Sequence, residues 1–172
     1  MGWPVVIATA SAAETRAAAA RLAGLCAAGD VMLLIGDLGA GKTAFAQGVA
    51  AALGVEGPVT SPTFALVRQY RCGPGGAVDT LIHADVYRTG SLGEITDLAL
   101  AEMVEERALA LIEWGDLAAP ALGDDVLEVT LEAPPNGDPE HRTITFVGRG
   151  RWSARAEDVA RATSSALAPG TP

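Results

Sequence analysis

One lysine, Lys42, stands in a run of residue types suited to holding phosphate. Gly36, Asp37, Leu38, Gly39, Ala40, Gly41, Lys42 and Thr43 fit G-x-x-x-x-G-K-[ST] at every specified position. The other side chains that are always cationic are all arginine, so lysine is kept at this one place. An ammonium on a thin stem reaches the β- and γ-phosphates as a point charge, whereas guanidinium is planar and broad. The glycines let backbone N–H groups close on the phosphates, and the Thr43 hydroxyl suits Mg²⁺. These eight residues are the candidate nucleotide-binding set, with Thr43 also a candidate metal ligand. Together they imply a nucleoside triphosphate site. The plain alternative is a glycine-rich β–α turn.

Acids are available to complete such a site. Residues 108–112 are apolar and end in Glu113, the Walker B pattern of a buried strand that carries a carboxylate toward the phosphates. Glu113 would ligate Mg²⁺ directly, hold it through water, or orient the attacking water. Trp114 follows it, suited to packing under the nucleotide, presenting a binding face or filling core. His83, Asp85 and Tyr87 recur at strand period on one face, with Ala84 and Val86 on the other. A buried polar row needs partners, and a bound Mg-nucleotide would supply them. Asp85 is a candidate to hold the metal's water shell or the nucleophile, and Arg88 to offset charge on the moving phosphoryl group in cis. Thr60, Ser61, Pro62, Thr63 and Phe64 lie where nucleotide switches sense the γ-phosphate, with hydroxyls at Ser61 and Thr63. A turn entering a strand would read alike.

The elements that must position these groups follow from periodicity. Residues 31–35 form a short continuous apolar run, as in a strand buried on both faces of a parallel sheet. The glycine turn comes next, then a helix over 43–53 ending at Gly54. A first strand is expected over 3–10, and Ser11 with Glu14 forms a capping box that opens a helix to about residue 28. Residues 63–71 and 80–88 read as an antiparallel hairpin around Gly73, Pro74, Gly75 and Gly76. Ser91 and Glu94 offer another capping box, with a helix to about residue 107. Residues 126–133 and 142–148 read as paired strands, 153–167 as a closing helix and 168–172 as a frayed tail. The expected fold is α/β: one three-layer P-loop NTPase-like domain over 1–167, a mixed sheet with parallel core strands and antiparallel additions.

Composition narrows the function. A chain of 172 residues, 49% hydrophobic and 19% charged, suits one domain with a sizeable core. No apolar run approaches the roughly 18–20 residues of a membrane span. The N-terminus lacks a basic region ahead of an apolar one, so no secretory signal is expected and the compartment reads as cytoplasm. Cys26 and Cys72 match no metal or redox spacing and read as packing and loop thiols. The net charge of −9 argues against a tight direct hold on RNA or DNA, which needs excess lysine and arginine. In nucleic-acid metabolism a partner would supply the basic surface.

The motifs at 36–43, Ser61 to Phe64, His83 to Arg88 and Ile112 to Trp114 together resemble the TsaE family of bacterial P-loop ATPases. The resemblance runs over roughly residues 5–148. It implies ATP and Mg²⁺ as cofactors, and ATP hydrolysis that drives a TsaB–TsaD complex in making threonylcarbamoyladenosine in tRNA. It implies Thr43 and Glu113 as Mg²⁺ ligands, Asp85 as a further active-site acid, Thr63 and Trp114 as residues important for activity, and Arg142 as an arginine near the nucleotide. Between Thr89 and Arg107 the chain departs from the family's glycine-centred acidic segment. Outside the family, a small-molecule P-loop kinase suits the same loop, although no arginine-bearing lid is evident. A non-catalytic ATP-dependent scaffold also suits it. A GTPase suits it less well, because no Asn-Lys-x-Asp segment exists in a chain whose sole lysine is Lys42.

Overall fold

Strands that are apolar on both sides belong in the middle of a sheet, and the two most apolar strands lie there. In a computed structural model describing residues 2–62, 66–87 and 107–165, β2 (Val31–Ile35) pairs in parallel with β5 (Ala108–Glu113), every residue of which is buried. β6 (Val126–Glu132) flanks β2 on its other side, again parallel, and β4 (Thr80–Asp85) flanks β5 in parallel. Antiparallel strands close both edges. β3 (Val67–Arg71) pairs with β4, while β7 (Arg142–Gly148) pairs with β6 and β1 (Val5–Thr9) with β7. Among the described residues the order is β1-β7-β6-β2-β5-β4-β3, a seven-stranded mixed sheet.

Side chains along β2 alternate between two cores. Met32 and Leu34 join Leu109, Leu111, Val129 and Phe146 under α1 (Ala12–Ala23), α2 (Lys42–Ala52) and α4 (Ala156–Ser165). Val31 and Leu33 join Ile82, Ala110 and Ile112 on the opposite face, where Ala118 of α3 (Gly115–Leu122) covers them. Helices on both faces make the three layers expected for this pattern.

Small residues set how closely the helices approach. α1 buries Ala18, Ala19 and Ala23 beside Leu22, and α2 lies against it. A Cβ at Gly48 of α2 would lie 2.2 Å from the Arg16 carbonyl oxygen, so only glycine permits this approach. The capping box of α1 forms: Ser11 Oγ accepts the Glu14 N–H, and Glu14 Oε2 accepts the Ala10 N–H at 2.7 Å.

Several boundaries differ from the periodic reading. α1 ends at Ala23 rather than near residue 28, because the N–H groups of Gly24, Leu25 and Cys26 bond three residues back and tighten the chain into turns. The closing helix is preceded by a 3₁₀ turn at Gly150–Trp152, which buries Trp152. α3 is unmarked by the sequence pattern, with no side-chain cap and Pro120 inside it. Arg107 lies in a turn with φ of +59°, outside any helix. The capping box at Ser91 and Glu94, the residues Thr63, Phe64 and Arg88, and the tail lie outside the described residues.

Candidate functional site

The loop between β2 and α2 is shaped by backbone that only glycine adopts easily. Gly36 has φ of +150°, and a Cβ there would lie 2.4 Å from the Leu131 carbonyl oxygen. Gly41 caps α2 at φ of +106° with no side-chain cap, so the first N–H groups of the helix are left for a ligand. Lys42 is buried, and its Nζ donates to the carbonyls of Gly36 at 2.6 Å and Asp37 at 2.9 Å. Burial pushes the Lys42 ammonium below its ordinary pKa, and the carboxylates of Glu113, Asp85, Asp37 and Asp116 oppose that shift.

The loop is braced from the β7 side. Arg142 Nε donates to the Ala40 carbonyl at 2.8 Å and its Nη2 to that of Gly39 at 3.0 Å. Its Nη1 donates to the carbonyls of Pro139 and His141. The guanidinium therefore grips the back of the loop through carbonyls.

Facing the loop, the register of β4 on β5 sets Asp85 opposite Glu113. Both acids are buried. Thr43 Oγ1 donates to Glu113 Oε1 at 3.4 Å, and His83 Nε2 lies 2.9 Å from the same oxygen. Asp85 Oδ1 accepts the Tyr87 N–H at 2.9 Å, which fixes one carboxylate oxygen. Trp114 adopts left-handed backbone at φ of +60°, rare for a bulky side chain and characteristic of strained functional positions. Its ring packs on Tyr87 at 4.5 Å between centroids, and Lys42 Nζ sits 4.2 Å from its centroid. Tyr87 itself is exposed.

Between these walls lies a cavity of about 520 Å³. Of the loop, Leu38, Gly39, Gly41, Lys42 and Thr43 line it; Gly36 and Asp37 hold Lys42 through their carbonyls, and Ala40 bonds Arg142, all three outside the lining. Asp85, Glu113, Ser61, Tyr87 and Trp114 line the remainder. Arg142 stands behind the loop, outside the cavity lining, and Thr63 lies outside the described residues. Among the described residues no group of three or more His, Cys, Asp or Glu could hold a metal ion by itself. The hydroxyl of Thr43 beside the Glu113 carboxylate is a hard-oxygen pair, the donor type for Mg²⁺ shared with phosphate oxygens and water. Mg-nucleotide therefore fits the residues present.

Sequence reasoning placed His83 on the face of Asp85 but missed its partner, Glu113, since strand pairing brings them together across 30 residues. It also missed the bracing role of Arg142 on Gly39 and Ala40, 102 to 103 residues away. Among the described residues no helix is long and apolar enough to cross a membrane.

Comparison with known proteins places this architecture. The family model described as "Threonylcarbamoyl adenosine biosynthesis protein TsaE" matches residues 9–144. The Bacillus subtilis "tRNA threonylcarbamoyladenosine biosynthesis protein TsaE" is 38% identical over 154 residues, covering 89% of this chain and 92% of the relative. The protein of the same description from Mycobacterium tuberculosis strain H37Rv is 40% identical over 131 residues, covering 73% of this chain and 77% of its own. The crystal structure of Bacillus subtilis YdiB superposes with a TM-score of 0.73 at 31% identity, covering 94% of this chain and 97% of that one.

Proposed function

This chain belongs to the TsaE family, and from that premise we propose that it is a Mg²⁺-dependent ATPase serving threonylcarbamoyladenosine formation in tRNA, acting on a TsaB–TsaD complex. The observation that carries the reading is the convergence of Lys42, Thr43, Asp85 and Glu113 on one cavity. Lys42 exchanges the carbonyls of Gly36 and Asp37 for β- and γ-phosphate oxygens, where its charge opposes that of the leaving group. Backbone N–H groups of the loop and the start of α2 bind the remaining phosphate oxygens. Thr43 and Glu113 are the residues that would hold Mg²⁺, which supplies charge neutralisation on the phosphates when bound. Asp85, with one oxygen fixed by Tyr87, offers the other to orient the attacking water. Ser61 lines the cavity, and with Thr63 it supplies the hydroxyls of a γ-phosphate sensor. Arg142 supports nucleotide binding by holding the loop in shape.

The charge of −9 fits a helper that leaves tRNA to its partners in the cytoplasm. Turnover of ATP by the purified protein, with and without the TsaB and TsaD counterparts of its cell, tests the whole reading. Slow hydrolysis alone, acceleration by the complex and weak tRNA binding at physiological salt are expected. Tight tRNA binding by the isolated chain, or modification that turns over repeatedly without it, would end the helper role. A phosphorylated metabolite as product would instead make it a kinase.

A further inference from the structure

A fully buried histidine lies beneath Asp85 and Glu113, and it lines no part of the cavity. His83 is wholly inaccessible to solvent, its Nε2 lies 2.9 Å from Glu113 Oε1, and its Nδ1 is buried without a partner among the described residues. The register explains its place. His83 pairs with Leu111, two residues before the pairing of Asp85 with Glu113, so it sits on the sheet behind both acids. A carboxylate oxygen accepts hydrogen bonds, so Nε2 is the donor in this pair, and Nδ1 is left without a hydrogen-bond partner among the described residues. A histidine buried for packing alone would gain from an apolar replacement, since an unpartnered Nδ1 in a dry interior is unfavourable. The contact that offsets this is the bond to Glu113.

That bond also determines how the carboxylate lies. Oε1 receives both the Nε2–H of His83 from below and the Thr43 hydroxyl at 3.4 Å from the loop. Two donors on one oxygen hold the carboxylate plane, leaving Oε2 outside both bonds. Groups that orient a ligating carboxylate from behind commonly matter almost as much as the ligand itself.

We propose that His83 is a positioning residue for Glu113, whose Nε2–H fixes the orientation in which that carboxylate serves the Mg²⁺ and water of ATP hydrolysis. The inference rests on the metal-site reading above, and the test separates the two. His83→Gln keeps an N–H the same number of bonds from Cα as Nε2. His83→Asn carries its N–H at the level of Nδ1, short of Glu113, and His83→Leu has similar bulk and no donor. ATP affinity is measured by calorimetry in Mg²⁺ and in EDTA, beside kcat and KM for hydrolysis.

In EDTA all four proteins bind ATP alike, because Lys42 and the loop hold the phosphates. In Mg²⁺ the Leu and Asn variants lose roughly 10- to 100-fold in kcat, with KM little changed, and need more Mg²⁺ to reach half their ATP affinity. The Gln variant recovers most of both. If Gln falls as far as Leu and Asn, or if none of the three departs from the parent, His83 is packing and the inference is overturned. If ATP binding by the parent ignores Mg²⁺, the metal site itself is wrong and takes the inference with it. If the parent binds no ATP, the phosphate-loop reading has failed first. Thermal melts identify a variant that does not fold; should that be His83→Leu, the Gln and Asn pair decides alone.

Discussion

The wall formed by residues 36–43 is one unbroken stretch from the end of β2 into the first residues of α2, whereas the facing wall joins Asp85, at the end of β4, to Glu113, at the end of β5. The first works through backbone. Its shape depends on the left-handed glycines at 36 and 41, and one side chain, Lys42, supplies its positive charge. The second works through carboxylates, and its shape depends on register: a one-residue slip of β4 against β5 would turn Asp85 to the other face. The loop wall therefore tolerates change wherever backbone conformation survives, while the acid wall tolerates change wherever strand pairing survives. Nucleotide affinity should follow the first and chemistry the second.

Lys42→Ala offers the harshest test of that division. No other lysine exists to replace the charge, so ATP affinity should fall by about 100-fold or more in calorimetry. Unchanged affinity would remove the phosphate-loop reading and leave the comparison without its first term.

Glu113→Gln preserves volume and removes one charge. Hydrolysis should drop by roughly 100-fold while ATP affinity stays within a few-fold, which steady-state kinetics beside calorimetry would reveal. Asp85→Asn should act in the same direction and less severely. Normal turnover in both variants would make these acids structural and dissolve the acid wall as a chemical unit.

Arg142→Gln sharpens the contrast from behind the loop. Loss of the grip on the Gly39 and Ala40 carbonyls should weaken ATP binding by about tenfold, with the hydrolysis rate at saturating ATP nearly unaltered. An equal fall in saturated rate would move Arg142 from the loop to the chemistry.

The smallest functional effect belongs to a site that touches neither wall. Gly48→Ala pushes a methyl group against the Arg16 carbonyl, so it should destabilise the fold by about 1–3 kcal/mol in chemical denaturation. Kinetics of the remaining folded protein should match the parent. A changed KM would mean that the packing of α1 on α2 shapes the loop.

Legibility follows the same line. The strands at 31–35 and 108–113 were readable because burial on both faces leaves a continuous apolar run, and the hairpin at 67–85 because glycine and proline mark its turn. α3 was not readable: Pro120, a left-handed Trp114 at its start and the lack of a cap disguise it. The turns after Ala23 were hidden by an alanine-rich pattern that suits a longer helix, which the bond of Asp30 to the Ala27 N–H helps to prevent. Neither acid showed from sequence that it would face the other.

The sequence alone determined the path of the loop over 36–43, because it lies in eight adjacent residues whose glycines dictate a local backbone conformation. It determined the apolar strands that must become the centre of a parallel sheet, and the acidic surface that disfavours a polyanion. Tertiary structure decided which groups meet. His83 reaches Glu113 across 30 residues, Thr43 reaches Glu113 across 70, and Arg142 reaches Ala40 across 102. Strained backbone sets the Trp114 ring between Tyr87 and Lys42. Those meetings depend on strand order and register, which arise from the free energy of the whole core and leave no mark in any local window.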